Sequence, residues 1–240
     1  MRVFFKIYIA VFYVFFSCND DLFKKSSNPP NILWLVAEDQ SPEFFPMYGN
    51  KTISLPNLEK LTKDGIIYTN AYAPVPVCAP SRSALITGMY PSTMGTHNMR
   101  TYNAYKKFNE PSINIPSYSP VVAEGVRMFT EYLRKRGYYC TNNSKEDYNF
   151  KPLANAWDES SGKAHWKNRP EGTPFFSVFN FGITHESQIW KQTNEPLLVD
   201  PNKLKVPPIF PDNPITRKDL AVSYSNLIRL DGQIGSILNE

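Results

Sequence analysis

Long apolar runs at two points along the chain predict strands that are buried on both faces. These runs are NILWLVA (31–37) and PFFSVFNFG (174–182), and shorter runs at 66–73 (IIYTNAYA) and 138–142 (YYCTN) predict two further strands. Near-continuous hydrophobic runs are typical of parallel strands that helices cover on both sides. The pattern therefore favours a parallel sheet in the middle of the domain.

Apolar residues recur at helical spacing between and after these strands. The spacing predicts helices over 55–65, 120–136 and about 216–239, with Gly65 and Gly137 at the ends of the first two. Strands that alternate with helices indicate an α/β fold with a largely parallel sheet and helices on both faces. In such sheets, ligands bind at the carboxyl ends of the strands.

The first 18 residues have the character of a targeting segment. Arg2 and Lys6 supply positive charge around an apolar stretch that is too short to span a bilayer. Ser17 and Cys18 end this stretch in a way that resembles the lipobox of bacterial lipoproteins, in which the cysteine is lipidated. We therefore predict a lipoprotein-type signal peptide with lipidation at Cys18, and an ordinary secretory signal is the alternative.

The rest of the chain divides into a polar tether, 19–30, and a domain, 31–240. The prediction is an exported protein of the periplasm or outer membrane, held at the membrane by its lipid. The net charge is only +4 and no basic run is present, which argues against a nucleic-acid partner. Cys140 lies in an apolar run and is predicted to be a buried thiol that does not pair with Cys78.

Cys78 lies in VCAPSRSALITG (77–88), which predicts a helix with Pro80 in its first turn and Gly88 at its end. At such a helix start, free N–H groups and the helix dipole favour an anion, and Arg82 adds a cation one turn later. The residues alone fit either an anion site with a thiolate of lowered pKa or a small residue at a helix start.

The stretch CAPSR (78–82), followed by TG (87–88), matches the C-x-P-S-R…T-G signature of the type I, formylglycine-dependent sulfatases of the alkaline phosphatase superfamily. NILWLVAEDQ resembles the first strand of that family with its acidic pair. GYYCTNNSK resembles the region of its active-site lysine, and PFFSVFNFGITHES the strand before its active-site histidine. The resemblance covers nearly all of 31–240 and implies an alkaline-phosphatase-like sandwich, truncated at the C-terminus.

The resemblance implies roles for individual residues. Cys78 is oxidised to formylglycine by a formylglycine-generating maturase, and one hydroxyl of the hydrated aldehyde attacks the sulfate sulfur before the other expels sulfate. Arg82, Lys145 and His185 act at the sulfate, with His185 as a sulfate contact or as proton donor to the leaving group. The chain departs from the family where relatives often have Gly-Lys-x-His, because Asp147 replaces the histidine.

Glu38, Asp39 and Cys78 are the implied ligands of a divalent cation, Ca²⁺ or Mg²⁺, for which carboxylates are suitable hard ligands. The two carboxylates converge only if the strand ends by Glu38, since neighbours on a regular strand point to opposite faces. His97 and Arg100 are expected to shape the subsite for the sugar.

The expected function is a sulfatase that hydrolyses sulfate esters or sulfamates of a sulfated glycan. One alternative is a phosphoesterase of the same superfamily. Such relatives use Thr or Ser and bind zinc with several histidines, whereas this chain has three histidines in all. The other alternative is a noncatalytic fragment of a sulfatase, because the Asp-His or Asp-Asn pair that completes the family's metal site does not occur before Glu240.

Overall fold

A four-stranded parallel sheet organises the domain. The structure, a computed structural model, describes residues 29–99 and 119–240. All three neighbouring strand pairs are parallel, as predicted. The third strand along the chain has only two residues and does not coincide with an apolar run. The strands lie in the order β1 (Ile32–Ala37), β4 (Phe175–Phe181), β2 (Tyr139–Asn143) and β3 (Glu159–Ser160).

Helices connect the strands and follow the last of them. Among the described residues, no helix is long and apolar enough to cross a membrane. The last helix is capped as its sequence suggests, because Asn213 Oδ1 accepts hydrogen bonds from the N–H groups of Ile215 and Thr216, each at 3.0 Å. The helices are α1 (Pro56–Asp64), α2 (Cys78–Thr87), α3 (Pro91–Met94), α4 (Phe129–Lys135), α5 (Gln188–Lys191) and α6 (Pro214–Leu238). Short 3₁₀ turns lie at Pro42–Phe44, Pro46–Tyr48, Trp166–Asn168, Gly182–Thr184 and Pro201–Lys203.

Apolar side chains cover both faces of the sheet. On one face, Phe179 of β4 belongs to a buried cluster with Leu227 of α6. On the other face, Phe176 and Val178 of the same strand share a cluster with Ile86 of α2. Because successive residues of a strand point to opposite faces, β4 contributes to both cores. The prediction of a central strand buried on both faces is confirmed for β4.

The strand predicted at 66–73 is wrong. This segment forms no strand, and Ile66, Tyr68 and Tyr72 are 81%, 70% and 86% exposed. Apolar and β-branched residues favour a strand only where another strand can pair with the backbone. In the part of the chain that the structure describes, the sheet contains no strand that pairs with this segment.

The helix predicted at 120–136 is much shorter than expected. Only α4 (Phe129–Lys135) is helical, and Gly125 adopts a φ of +85°, which lies outside the helical region. The helix start is fixed instead by Glu131, whose Oε1 accepts a hydrogen bond from the Met128 N–H at 3.0 Å. The apolar periodicity therefore extends beyond the segment whose backbone is helical.

A buried carboxylate joins α6 to the start of α1. Asp231 is 3% exposed and accepts hydrogen bonds from the backbone N–H groups of Asn57 and Leu58, at 3.2 and 2.9 Å. These N–H groups have no partner within the helix, and the negative charge lies at the positive end of the helix dipole. Gly235 permits the close approach, because a Cβ there would lie 2.6 Å from the Asn57 side chain.

We expect Asp231→Ala to lower the free energy of unfolding by about 2–3 kcal/mol, because two buried N–H groups lose their acceptor. Asp231→Asn keeps one side-chain oxygen and is expected to cost less. Urea unfolding followed by circular dichroism measures both losses. The control is Asp219→Ala at a less buried position of the same helix, with an expected change below about 0.5 kcal/mol. Equal losses in the two alanine variants would contradict the capping role.

Candidate active site

The ends of three strands and the start of one helix bring the predicted residues together. Glu38 and Asp39 follow β1, Lys145 follows β2, and His185 follows β4. Cys78 opens α2 beside them. A cleft of about 870 Å³ is lined by Asp39, Cys78, Lys145 and His185, and Glu38 lines an adjoining cleft together with Cys78. The edge that the sequence indicates is therefore the edge at which these side chains meet.

The helix that carries the signature has the predicted boundaries. It begins at Cys78, and Gly88 follows it at a φ of +68° with its N–H donating to the Ala84 carbonyl at 2.8 Å. A left-handed residue at this position suits glycine. Cys78 therefore lies in the first turn, where backbone N–H groups have no acceptor within the helix.

The position of Cys78 does not activate its thiol. Burial and the nearby Asp147 carboxylate raise the pKa of Cys78, and the opposing effects of Lys145 and the Ala79 N–H do not reverse the shift. A thiolate of lowered pKa, one of the two possibilities that the residues left open, is therefore wrong for this structure. Cys78 and Cys140, the two cysteines in the described part of the chain, are free, as predicted, and burial raises the pKa of the fully buried Cys140 to about 12.

Glu38 lies buried between two cationic side chains. Its Oε1 accepts a hydrogen bond from Arg82 Nη2, and its Oε2 accepts one from Lys145 Nζ at 2.5 Å. The Glu38 N–H donates to Thr184 Oγ1 at 3.0 Å. Burial alone would raise the pKa of Glu38, but the Lys145 hydrogen bond and the charges of Arg82 and Lys145 outweigh it and lower the pKa. Glu38 is therefore the charged counter-ion of both cations at neutral pH.

Asp39 has different partners from Glu38. Its Oδ2 accepts a hydrogen bond from the Glu186 N–H at 2.9 Å and lies 3.8 Å from His185 Nε2. β1 ends at Ala37 and Asp39 adopts a φ of +50°, so the condition that the strand end by Glu38 is met. The two neighbouring carboxylates nevertheless have different partners, although both line the cleft that Cys78 also lines.

The described residues do not complete a metal site. Among them, no group of three or more His, Cys, Asp or Glu side chains is placed to hold a metal ion. Both oxygens of Glu38 are engaged by Arg82 and Lys145, which leaves Asp39 as the more accessible carboxylate. Ca²⁺ takes about six to eight oxygen ligands. Glu38, Asp39 and Cys78 alone therefore do not fit Ca²⁺ or Mg²⁺, and their role as ligands stays a prediction.

The ring of His185 is oriented by its own loop. Its Nδ1 accepts a hydrogen bond from the Ser187 N–H at 3.1 Å and lies 3.0 Å from Ser187 Oγ. A backbone N–H can only donate, so Nδ1 is the acceptor and the ring proton resides on Nε2. Nε2 is also the nitrogen nearest Asp39, at 3.8 Å. This tautomer presents an N–H on the side of the cleft.

The predicted substrate and lipid residues have no described part in the site. His97 is exposed and does not line the cleft, and its Nε2 lies 3.4 Å from Asn98 Nδ2. Arg100 and Cys18 lie outside the described residues. The sugar-binding and lipidation roles therefore stay predictions.

Two polar residues of the site were not predicted as functional. Asp147 lines the cleft and its Oδ2 lies 3.7 Å from Lys145 Nζ; its signal in the sequence is its place at the family's histidine position. Asn180 Oδ1 accepts a hydrogen bond from Arg82 Nη1 at 2.7 Å. Its signal is a polar residue within the apolar run of β4.

The lowered pKa of Glu38 predicts a pH-dependent contribution to stability. A carboxyl whose pKa is lower in the folded than in the unfolded protein stabilises the fold above its ordinary pKa, and this contribution is lost as the pH falls through the lowered value. We expect Glu38→Gln to cost about 2–3 kcal/mol at pH 7, because Arg82 and Lys145 lose their counter-charge.

The difference between wild type and Glu38→Gln is expected to shrink as the pH falls from about 5, just above the ordinary carboxyl pKa, through the lowered pKa of Glu38. Urea unfolding of both proteins across this range measures it. Glu171→Gln, at an exposed position, is the control and is expected to run parallel to wild type. A difference that stays constant with pH would contradict a charged Glu38.

Known proteins share both the sequence and the fold. A family model for sulfatases matches residues 30–203. An ulvan-active sulfatase of Formosa agariphila is 41% identical over an alignment 247 positions long, which covers 88% of this chain and 40% of that protein. The chain thus spans well under half the length of this relative.

Solved structures of two enzymes superpose on most of the chain. A 2-O GAG sulfatase gives a TM-score of 0.60 at 17% identity, over 88% of this chain and 54% of the other. The phosphonate monoester hydrolase of Agrobacterium radiobacter gives 0.63 at 12% identity, over 88% and 59%. These likenesses confirm the predicted alkaline-phosphatase-like α/β fold and show the fold alone. Because the sulfatase model matches well over half of the residues, this chain belongs to the sulfatase family.

Proposed function

We propose that the polypeptide to which this chain belongs hydrolyses sulfate esters, or sulfamates, of a sulfated glycan. The observation that carries the proposal is the meeting of Cys78, Arg82, Lys145 and His185 at one edge of the sheet in a member of the sulfatase family. Each of these side chains has a chemical part in the transfer of a sulfuryl group.

The site is suited to bind an anion. The free N–H groups at the start of α2 and the helix dipole favour negative charge beside Cys78. Arg82 and Lys145 carry two positive charges, and the carboxylates of Glu38 and Asp147 lie beside them, so the cluster has no excess of positive charge. A sulfate group placed against Cys78 is therefore bound by the helix start and by the N–H groups of Arg82 and Lys145 that these carboxylates do not occupy.

Cys78 is proposed to be the precursor of formylglycine. When present, formylglycine supplies a hydrated aldehyde as the hydroxyl nucleophile. The CAPSR signature (78–82) and the match to the sulfatase family support this. The Nε2–H of His185 is proposed to donate a hydrogen bond to a sulfate oxygen, because a ring whose Nδ1 accepts the Ser187 N–H is neutral and keeps its one proton.

A divalent cation, Ca²⁺ or Mg²⁺, is part of the same proposal. When bound, such a cation polarises sulfate oxygens as a Lewis acid. Between Glu38 and Asp39, Asp39 is the more accessible carboxylate for such a cation.

The substrate class is proposed from the names of similar proteins. One relative is called ulvan-active, and one structural neighbour is a GAG sulfatase. A sulfated carbohydrate is the substrate that fits both names. The proposal also includes a formylglycine-generating maturase as partner, and a lipid at Cys18 that holds the exported protein at the periplasmic side of a membrane.

Hydrolysis of phosphonate or phosphate monoesters is the second candidate function. It is favoured by the fold shared with the Agrobacterium radiobacter hydrolase. The CAPSR signature (78–82) and the match to the sulfatase family support sulfate esters over this alternative.

The proposal is tested with the full-length polypeptide, co-expressed with a formylglycine-generating maturase. We expect hydrolysis of 4-nitrophenyl sulfate to exceed that of the corresponding phosphate and phosphonate. Cys78→Ala is expected to reduce it at least about a thousandfold, because the nucleophile is lost. Cys140→Ala, a buried thiol outside the cleft, is the matched control and should retain activity. Preferred turnover of the phosphorus esters, or an active Cys78→Ala, would reject the proposal.

The incomplete ligand set generates a second expectation. We expect purified residues 19–240 alone to hydrolyse no aryl sulfate, even after conversion of Cys78, because the described residues do not complete a metal site. The measurement is the rate with 4-nitrophenyl sulfate over a range of Ca²⁺ and Mg²⁺ concentrations. Measurable cation-dependent turnover by this polypeptide would show that its ligand set is sufficient.

A further inference from the structure

Asn180 is a polar residue that follows two apolar residues on one face of β4. It shares a face of β4 with Phe176 and Val178, which are buried in the core beneath α2. Asn142 of β2 lies on the same face, is 1% exposed, and lies beside Asn180. An amide in this position needs hydrogen-bond partners, because burial without them costs stability.

The side chain of Asn180 binds two parts of the active site at once. Its Oδ1 accepts a hydrogen bond from Arg82 Nη1 at 2.7 Å. Its Nδ2 donates to Asn142 Oδ1 at 2.9 Å and to the Asn143 carbonyl at 3.1 Å. Arg82 can only donate and the Asn143 carbonyl can only accept, so these partners fix the orientation of the amide.

Through these contacts, Asn180 is linked both to Arg82 and to the backbone segment that carries Lys145. Arg82 Nη1 also donates to the Lys145 carbonyl at 3.2 Å, and Asn143 begins the segment that leads from β2 to Lys145. Glu38 binds the charged ends of both cations but contacts neither the Asn143 carbonyl nor Arg82 Nη1. Asn180 therefore holds the Arg82 guanidinium and the backbone before Lys145 from the opposite side.

We propose that Asn180 is a positioning residue that sets the separation of Arg82 and Lys145 for the sulfate. The inference rests on the proposed function, because the two cations are taken as sulfate contacts. Loss of the Asn180 amide leaves Arg82 with Glu38 and the Lys145 carbonyl as partners, and this carbonyl belongs to the segment that Asn180 no longer holds, so the guanidinium is less restrained.

The test compares Asn180→Leu and Asn180→Ala with wild type in the full-length polypeptide. Leu keeps most of the side-chain volume but makes no hydrogen bond, so it separates packing from positioning. For both variants we expect kcat/KM for 4-nitrophenyl sulfate to fall about tenfold or more, with a comparable rise in the inhibition constant of inorganic sulfate. Asn50→Ala is the matched control, because Asn50 joins the Glu43 carbonyl to Tyr224 Oη away from the site. The Asn50→Ala variant should be less stable than wild type, with unchanged kcat/KM and an unchanged inhibition constant for sulfate.

A second readout does not depend on turnover. In ¹⁵N-labelled protein, the guanidinium signal of Arg82 is assigned by its loss in Arg82→Lys. Restricted rotation and slow hydrogen exchange of this signal are expected in wild type and Asn50→Ala, and fast rotation and exchange in Asn180→Leu. An inactive wild type rejects the proposed function. An active wild type with unchanged constants and an unchanged Arg82 signal in Asn180→Leu rejects the positioning role alone.

Discussion

A carboxylate buried at the end of β1 needs positive partners, because an uncompensated charge in the interior costs several kcal/mol, on the order of 3–5 when a buried pair is broken. Glu38 obtains them from Arg82 of α2 and from Lys145 after β2. One side chain thus joins three elements that are distant in the chain. The arrangement holds both cations in place beside Cys78.

The parallel sheet determines where this cluster can form. β1, β4 and β2 run in the same direction, so the residues that follow them gather at one edge. The face of β4 that supports α2 is apolar up to Val178 and becomes polar at Asn180, where the core gives way to the site. Asn180, which contacts Arg82, therefore lies on the same face of β4 as the buried residues that pack against α2.

Most strands and the signature helix could be predicted from the sequence, for physical reasons that differ between these elements. β1, β2 and β4 follow from apolar runs, and the bounds of α2 follow from Pro80 and Gly88, whose backbone preferences are local. The strand at 66–73 was wrong because strand formation requires a neighbour that a local pattern cannot supply. The sequence also indicated Glu38 and Asp39 as one ligand pair. Their separate partners depend on side-chain directions after the strand end, which no spacing encodes.

The pairings that close the fold link residues from the two ends of the domain. Ile32 of β1 pairs with Phe176 of β4, and the N–H groups of α1 are capped by Asp231, 174 residues after Asn57. Contacts of such long sequence separation cost loop-closure entropy. During synthesis, β1 and α1 emerge long before β4 and Asp231 exist. The N–H groups at the start of α1 therefore lack their buried carboxylate until α6 has been made.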